Sequence, residues 1–375
     1  MDEALIVGGG PAGASLAIRL ATAGRPVRLL EREAGPHDKV CGEFLSFEAA
    51  AYLAALGLDI RSLGAVDVWE VEVLRGARRV RSSLPFAAFS LSRRTMDEAL
   101  LARASVCGAV VERGRRVTGI EPAGEGWRVR TAQGEMIESR QVFLATGKHD
   151  VRGWRRPPGP QPDLIGFKQH YRLAPGQRRG LTGRVELHLF DGGYAGLEPV
   201  EGDRTNLCLV ARRCAFQAAG QSWDALLPTL LAGCPTLARR LDGAEPLTRQ
   251  PLAITAIPYG HVRRRSDGLW RLGDQAAVIP SFAGEGMSIA LHSARLAAEV
   301  ALSGGAADAY QRALARDVGR QVGRATWMSQ ALVRPWSQAA VLAALQLRPT
   351  IASMAAAATR IPTRALQGRS ALSPG

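Results

Sequence analysis

Apolar and polar positions follow several distinct rhythms along the 375 residues, and each rhythm predicts an element. Residues 4–7 (Ala-Leu-Ile-Val) form an unbroken apolar run, the pattern of a strand covered on both faces. Residues 12–23 carry apolar side chains at helical spacing, and Gly24 is placed to end that helix in a left-handed conformation. Residues 27–30 read as a second strand, closed by Glu31. A helix is predicted over 95–104, capped by Ser92 or Thr95, with Asp97 and Glu98 in its first turn against the dipole. Short runs at 117–121, 127–131 and 135–139, separated by turn residues, predict an antiparallel meander. Residues 142–145 are again wholly apolar and predict a return to the buried sheet.

A Pro/Gly cluster at 156–162 marks the crossing into a second lobe. Strands are predicted there at 165–173, 184–190, 194–199 and 206–210, then helix over 222–241. Alternation puts Glu186, His188 and Phe190 on one strand face, and Lys168, His170 and Arg172 on one face of another. One of these faces is expected to line a substrate cavity, with His188 as a candidate catalytic group. The chain returns through 269–272 to Gly273-Asp274 and a helix near 287–302. The Ala-rich remainder is helical, with Trp327 and Trp336 expected in the core of a helical cap. The predicted division is 1–152, a first lobe with the meander; 153–265, a β-rich lobe; 266–305, the rest of the first lobe; and 306–375, C-terminal helices.

A hydrophobic share of 46% and a charged share of 22% exclude wholesale disorder and support a large core. No apolar stretch reaches the roughly 18 residues of a membrane-spanning helix, and the acidic start predicts no secretory leader. The net charge of +14 is carried almost entirely by arginine, because Lys39, Lys148 and Lys168 are the only lysines. Arginines are spread along the chain in pairs, so a nucleic-acid partner is not expected. Attraction to anionic substrates, or a peripheral membrane contact, stays open. Five scattered cysteines show neither disulfide nor zinc spacing, so no metal is predicted and a reducing cytoplasm is expected.

Gly8-Gly9-Gly10-Pro11-Ala12-Gly13 lies between the first strand and helix. In such a turn the first glycine makes the bend, the second lets a pyrophosphate approach, and the third packs helix on strand. The helix N-terminus offers free N–H groups and partial positive charge to the phosphates. Glu31 ends the second strand about 20 residues on, where a carboxylate holds an adenosine ribose. The pattern predicts dinucleotide binding by Gly8, Gly10, Pro11, Ala12, Gly13, Glu31 and Arg32, without separating NAD from FAD.

Far downstream, Leu272-Gly273-Asp274 leads through Pro280 to Gly284-Glu285-Gly286-Met287. Here the chain resembles the flavoprotein hydroxylase (p-hydroxybenzoate hydroxylase-like) and geranylgeranyl reductase superfamily, whose second FAD fingerprint is Gly-Asp, a proline, Gly-x-Gly and a helix. The resemblance implies that Gly273 and Asp274 meet the flavin ribitol chain, and that Gly284, Gly286 and Met287 bring a helix N-terminus to the flavin, where it stabilises negative charge on the reduced ring. By the same resemblance Arg93, in Arg93-Arg94-Thr95-Met96-Asp97, approaches the cofactor; Val117 meets the adenine; and Thr146 and Gly147 end a strand beside FAD. Lys39-Val40-Cys41-Gly42-Glu43-Phe44-Leu45 resembles the Cys-Gly-Glu segment of geranylgeranyl reductases and related flavoproteins, which implies Cys41 at the ring or substrate and Glu43 as a proton relay.

The chain departs from its relatives in places. Asp150 is not followed by glycine, which counts against hydroxylase-style NADPH use. The halogenases' Trp-x-Trp-x-Ile-Pro signature and catalytic lysine are missing, and the reductases' Tyr-x-Trp-x-Phe-Pro is echoed only in part by residues 193–199. The implied fold is α/β with α+β elements: a Rossmann-like FAD-binding lobe, an inserted β-rich substrate lobe and C-terminal helices. The implied function is an FAD-dependent oxidoreductase acting on a fairly apolar polyketide, quinone or isoprenoid, by hydride transfer or by oxygen-dependent hydroxylation. NAD(P)H or an external reductase would supply electrons. A flavin- or nucleotide-binding interaction protein without catalysis is the alternative.

Overall fold

The computed structural model describes residues 1–366. The chain opens with β1 (Asp2–Val7), α1 (Pro11–Thr22) and β2 (Val27–Leu30). Next come β3 (Phe44–Ser46), α2 (Phe47–Ala55) and the long pair β4 (Val66–Arg75) and β5 (Arg78–Ser90). Helix α3 (Arg93–Val106) leads to β6 (Val110–Glu112), β7 (Val117–Ala123), β8 (Gly126–Thr131) and β9 (Met136–Leu144). Beyond lie β10 (Leu164–Arg172), α4 (Pro175–Arg179), β11 (Arg184–Phe190), β12 (Gly193–Pro199) and β13 (Thr205–Arg212). Three helices, α5 (Arg213–Ala218), α6 (Trp223–Gly233) and α7 (Pro235–Leu241), precede the short strands β14 (Glu245–Pro246), β15 (Leu252–Thr255) and β16 (Trp270–Arg271). The chain closes with α8 (Gly286–Leu302), α9 (Ala307–Leu332), α10 (Pro335–Leu347), α11 (Thr350–Ala358) and α12 (Thr363–Leu366).

The first sheet has the order β6-β2-β1-β9-β8-β7, with β16 also on β9. β1 is parallel to both β2 and β9, so the expected buried parallel centre is present. Its alternate residues serve two cores: Ala4 and Ile6 pack toward α1 and α8, and Leu5 and Val7 pack with Val129, Val142 and Leu144. The pattern predicts two strands over 135–145, but they form the single strand β9, whose first half pairs antiparallel with β8 and whose second half pairs parallel with β1. The predicted helix over 222–241 is two helices, because Pro235 lacks the N–H needed to continue α6 and starts α7 instead.

The second sheet runs β14-β10-β13-β12-β11-β4-β5-β3, with β15 also on β10. It draws on two separate stretches of chain. β3–β5 fall inside residues 1–152, predicted as part of the first lobe, yet they join the second sheet through parallel pairing of β4 with β11. One face of this sheet packs under α6 and α7; the other faces the glycine turns. Trp327 and Trp336, expected in a core, are each 72% exposed, because α9 and α10 turn other residues inward.

Candidate active site

At the β1–α1 turn, Gly8 has φ +106°, and a Cβ there would sit 2.5 Å from the Ala145 carbonyl oxygen. A Cβ at Gly13 would overlap the Gly8 carbonyl. Gly10 is different: its space is bounded by two cations, Arg93 Nη2 at 3.3 Å and Lys39 Nζ at 3.9 Å from the Cβ position. Both cations are held by Asp97, at 2.8 and 3.0 Å. Burial opposes charge on Asp97, but Arg93 and Lys39 together hold it below the usual carboxylate range. A helix N-terminus edged by two fixed cations is a site for a pyrophosphate.

Glu31 is buried and accepts from the Gly9 N–H at 2.6 Å and the Glu33 N–H at 3.1 Å, so its carboxylate stands at the glycine turn. Arg32 lies outside, paired with Glu33. Val117 packs beside Leu30 and Ile120 at the start of β7. Pro11 is the first residue of α1, where its missing N–H costs nothing.

The second fingerprint packs directly on the first. A Cβ at Gly273 would lie 3.2 Å from the Ala12 Cβ, and the Gly273 N–H donates to Ser293 Oγ at 2.9 Å. Asp274 Oδ2 is 3.6 Å from Lys148 Nζ, and its carbonyl accepts from Arg156 Nη1 at 2.6 Å. Arg156 is also paired with Asp150, and Gln275 Nε2 donates to the Gly147 carbonyl, so the turn after Thr146 is tied to Asp274. Gly284 has φ +69° with Phe44 against it, and Gly286 opens on free space at the start of α8, beside buried Met287. These open backbone positions and the cation-edged cradle fit FAD: Gly10, Arg93 and Lys39 would hold its ADP part, and the turn at Gly284–Gly286 would receive its flavin part.

Above these turns sits a buried polar cluster. Asn206 Nδ2 donates to the Cys41 and Gly42 carbonyls at 3.1 and 2.8 Å. Glu43 (φ +65°) is fully buried, bonded to Lys168 Nζ, 2.7 Å from His170 Nε2, and accepts from the Arg93 N–H at 2.8 Å. Burial opposes its charge, but Lys168 and His170 outweigh burial and hold Glu43 below the usual carboxylate range. Such a fixed carboxylate is poorly suited to relay protons. Asp38, Glu43 and His170 hold ligand atoms within 4.8 Å of one another, but Lys168 already neutralises the group from inside.

Glu198 lies on the same sheet face and accepts from Ser90 Oγ at 2.8 Å. Its Oε1 is 3.9 Å from the Cβ position of Gly42. Burial, reinforced by the nearby Glu43 charge, pushes its carboxyl up to about 8. Glu198 is thus shifted toward holding its proton, whereas Glu43, expected as a proton relay, is shifted toward the carboxylate. The alternation of Tyr194, Gly196 and Glu198 on β12 carries that signal. Tyr194 and Tyr259 tie the sheet to the second fingerprint through Ser281, at 2.9 and 3.0 Å.

Cys41 is half-buried in this cluster, its sulfur accepting from the Glu43 N–H at 3.4 Å. His188 is elsewhere. It pairs across the sheet with Ala195, on the face under α6–α7, where its Nε2 lies 3.1 Å from Glu186, itself bonded to Arg240. The sheet separates it from the glycine turns, so His188 is corrected from a catalytic to a buried structural group. A cleft of about 340 Å³ lined by Arg128, Arg130 and Arg152 lies on the meander and contains none of these groups.

Residues 1–142 match the family model described as FAD binding domain. The menaquinone reductase of Mycolicibacterium smegmatis is 27% identical over 332 residues, covering 82% of this chain and 78% of that protein. Digeranylgeranylglycerophospholipid reductase 1 of Methanopyrus kandleri is 28% identical over 329 residues, covering 80% of each. Among solved structures, the myxobacterial chondrochloren halogenase CndH superposes with a TM-score of 0.73 at 22% identity, over 88% of this chain and 82% of that one, which speaks for the fold. The chain carries an FAD-binding domain over residues 1–142 and is an FAD-dependent oxidoreductase, similar over about four-fifths of its length to a menaquinone reductase and a digeranylgeranylglycerophospholipid reductase.

Proposed function

We propose that this protein reduces a carbon–carbon double bond or a quinone ring in an apolar, isoprenoid-type molecule, with Glu198 as the proton donor. The observation that carries this reading is the buried Glu198, its carboxyl pushed up to about 8 by burial, on the sheet face that the Cys41–Glu43 segment packs against. Such a reduction adds one hydride and one proton; reduced FAD, when bound, supplies the hydride. Glu43 is held charged by Lys168 and His170 and fixes the loop beneath the roof. Asn206 anchors the same loop by its backbone carbonyls. Glu198 gives its proton to the substrate and becomes a carboxylate within electrostatic reach of Lys168, then recovers a proton from water. Two named reductases that align over four-fifths of the chain support this direction. NAD(P)H visiting transiently, or a separate reductase, returns the electrons, for the chain has no second G-x-G-x-x-G unit. All five cysteines are free thiols, which suits a reducing cytoplasm.

The test is product mass after anaerobic incubation with a reductant and isoprenoid quinones or geranylgeranyl lipids. Gain of a hydrogen pair without oxygen is expected. Turnover that needs oxygen and adds an oxygen atom would mark a monooxygenase instead.

A further inference from the structure

The C-terminal helices bear a surface that the flavin site does not use. Helix α10 is apolar on two faces. Leu342 and Leu345 pack inward against Leu332 and Val333. Trp336, Ala340, Ala343 and Leu347 recur at helical spacing on its exposed side, where Gln346 is the one polar residue. After a 115° bend at Arg348-Pro349, α11 continues the strip with Ile351 and Met354. Trp336, Leu347 and Met354 are 72%, 84% and 68% exposed. Trp327 adds a second exposed indole from α9.

The chain segment that bears this strip carries charge of one sign. Residues 318–375 contain seven arginines and no aspartate or glutamate, half of the chain's net +14 in its last 58 residues. Arg324, Arg334 and Arg348 are exposed at its edges. No single helix among the described residues is long and apolar enough to cross a membrane. The 13 residues of α10 reach about 20 Å, short of the roughly 30 Å hydrocarbon core.

We propose that the outer face of α10–α11 docks in the interface of an anionic bilayer, with the indoles, Leu347 and Met354 among the upper acyl chains and the arginines on lipid phosphates. A second copy of this chain fits the face poorly, because two such surfaces packed face to face would bring their arginines together. Docking depends on this strip alone, and its outcome is independent of what the flavin site reduces.

The experiment is co-sedimentation of the FAD-loaded protein with vesicles of pure phosphatidylcholine or of phosphatidylcholine with phosphatidylglycerol, at low and high salt. Tryptophan emission is recorded in parallel. Salt-sensitive binding to the anionic vesicles and a blue shift that is reduced in Trp336→Phe and lost in Trp327→Phe/Trp336→Phe are expected. Trp336→Ser/Leu347→Ser should lose at least tenfold in partitioning, and each of Arg334→Gln and Arg348→Gln about fivefold. An unchanged flavin spectrum would show that each variant is folded. Equal binding to both vesicles, retention in the Trp336→Ser/Leu347→Ser variant, or a lipid-free blue shift accompanied by dimers in ultracentrifugation would overturn the proposal.

Discussion

Glu198 on β12 and the loop residue Glu43 meet on one side of the second sheet, and their surroundings shift the two carboxyls in opposite directions. Glu43 has Lys168 and His170 as partners, whereas Glu198 has a hydroxyl and a neighbouring negative charge. Their pH signatures therefore run in opposite directions. Glu198 keeps its proton in the folded protein up to about 8, while the unfolded chain has already lost it, so its contribution to stability falls as pH rises from the ordinary carboxyl range through about 8. Glu43, depressed by its partners, contributes stability that is lost as pH falls through its lowered folded value. Denaturant titrations across pH should show the alkaline loss in wild type and its disappearance in Glu198→Gln. Lys168→Met removes the cation bonded to buried Glu43 and should cost about 3–5 kcal/mol, with Glu43→Gln in the same chain restoring part of it. At the cradle, Arg93→Ala and Lys39→Ala should each weaken FAD binding about tenfold or more, measured by fluorescence quenching, because each removes a charge-assisted phosphate contact.

Each element brings one part of the site, and the turn at its end matters most. α1 presents its N-terminus, α3 brings Arg93 and Asp97, and α8 begins at the open Gly286. Gly13→Ala should therefore abolish FAD uptake and lower the melting temperature, since its methyl would drive α1 off β1. His188→Asn, on the far face of β11, should lower stability yet leave the rate of flavin reoxidation by substrate unchanged. The glycine turns were legible because their conformation is local: Gly8 bends the chain at φ +106°, and Gly13 is required by the Gly8 carbonyl of the same strand–turn–helix unit, although the Ala145 carbonyl that closes on Gly8 comes from the end of β9. Alternation on β11 showed that Glu186 and His188 share a face but not which way that face points, which depends on packing by α6 and α7. The lysines held an unread signal. In a chain of 45 arginines the three lysines stand at Gly10, Asp274 and Glu43, one on each part of the site.

For the molecule as a whole, the site exists because two sheets close on each other from interleaved stretches of chain. β3–β5 leave the first sheet to join the second, and their link to it is a pairing of β4 with β11 more than a hundred residues away. No local pattern specifies such a contact, so the lobe boundary could not be read from periodicity, whereas the parallel centre of the first sheet could. The same closure brings Arg93 to bridge cradle and roof, its guanidinium beside Gly10 and its N–H on Glu43. Cofactor grip and substrate roof are thereby coupled through one residue. The most direct test is rapid mixing of anaerobically reduced wild-type and Glu198→Gln protein with a short-chain isoprenoid quinone between pH 6 and 10. The account predicts a wild-type reoxidation rate that falls above about pH 8, and a variant at least about a hundredfold slower with no such fall. Superimposable rates and pH profiles for the two proteins would contradict it.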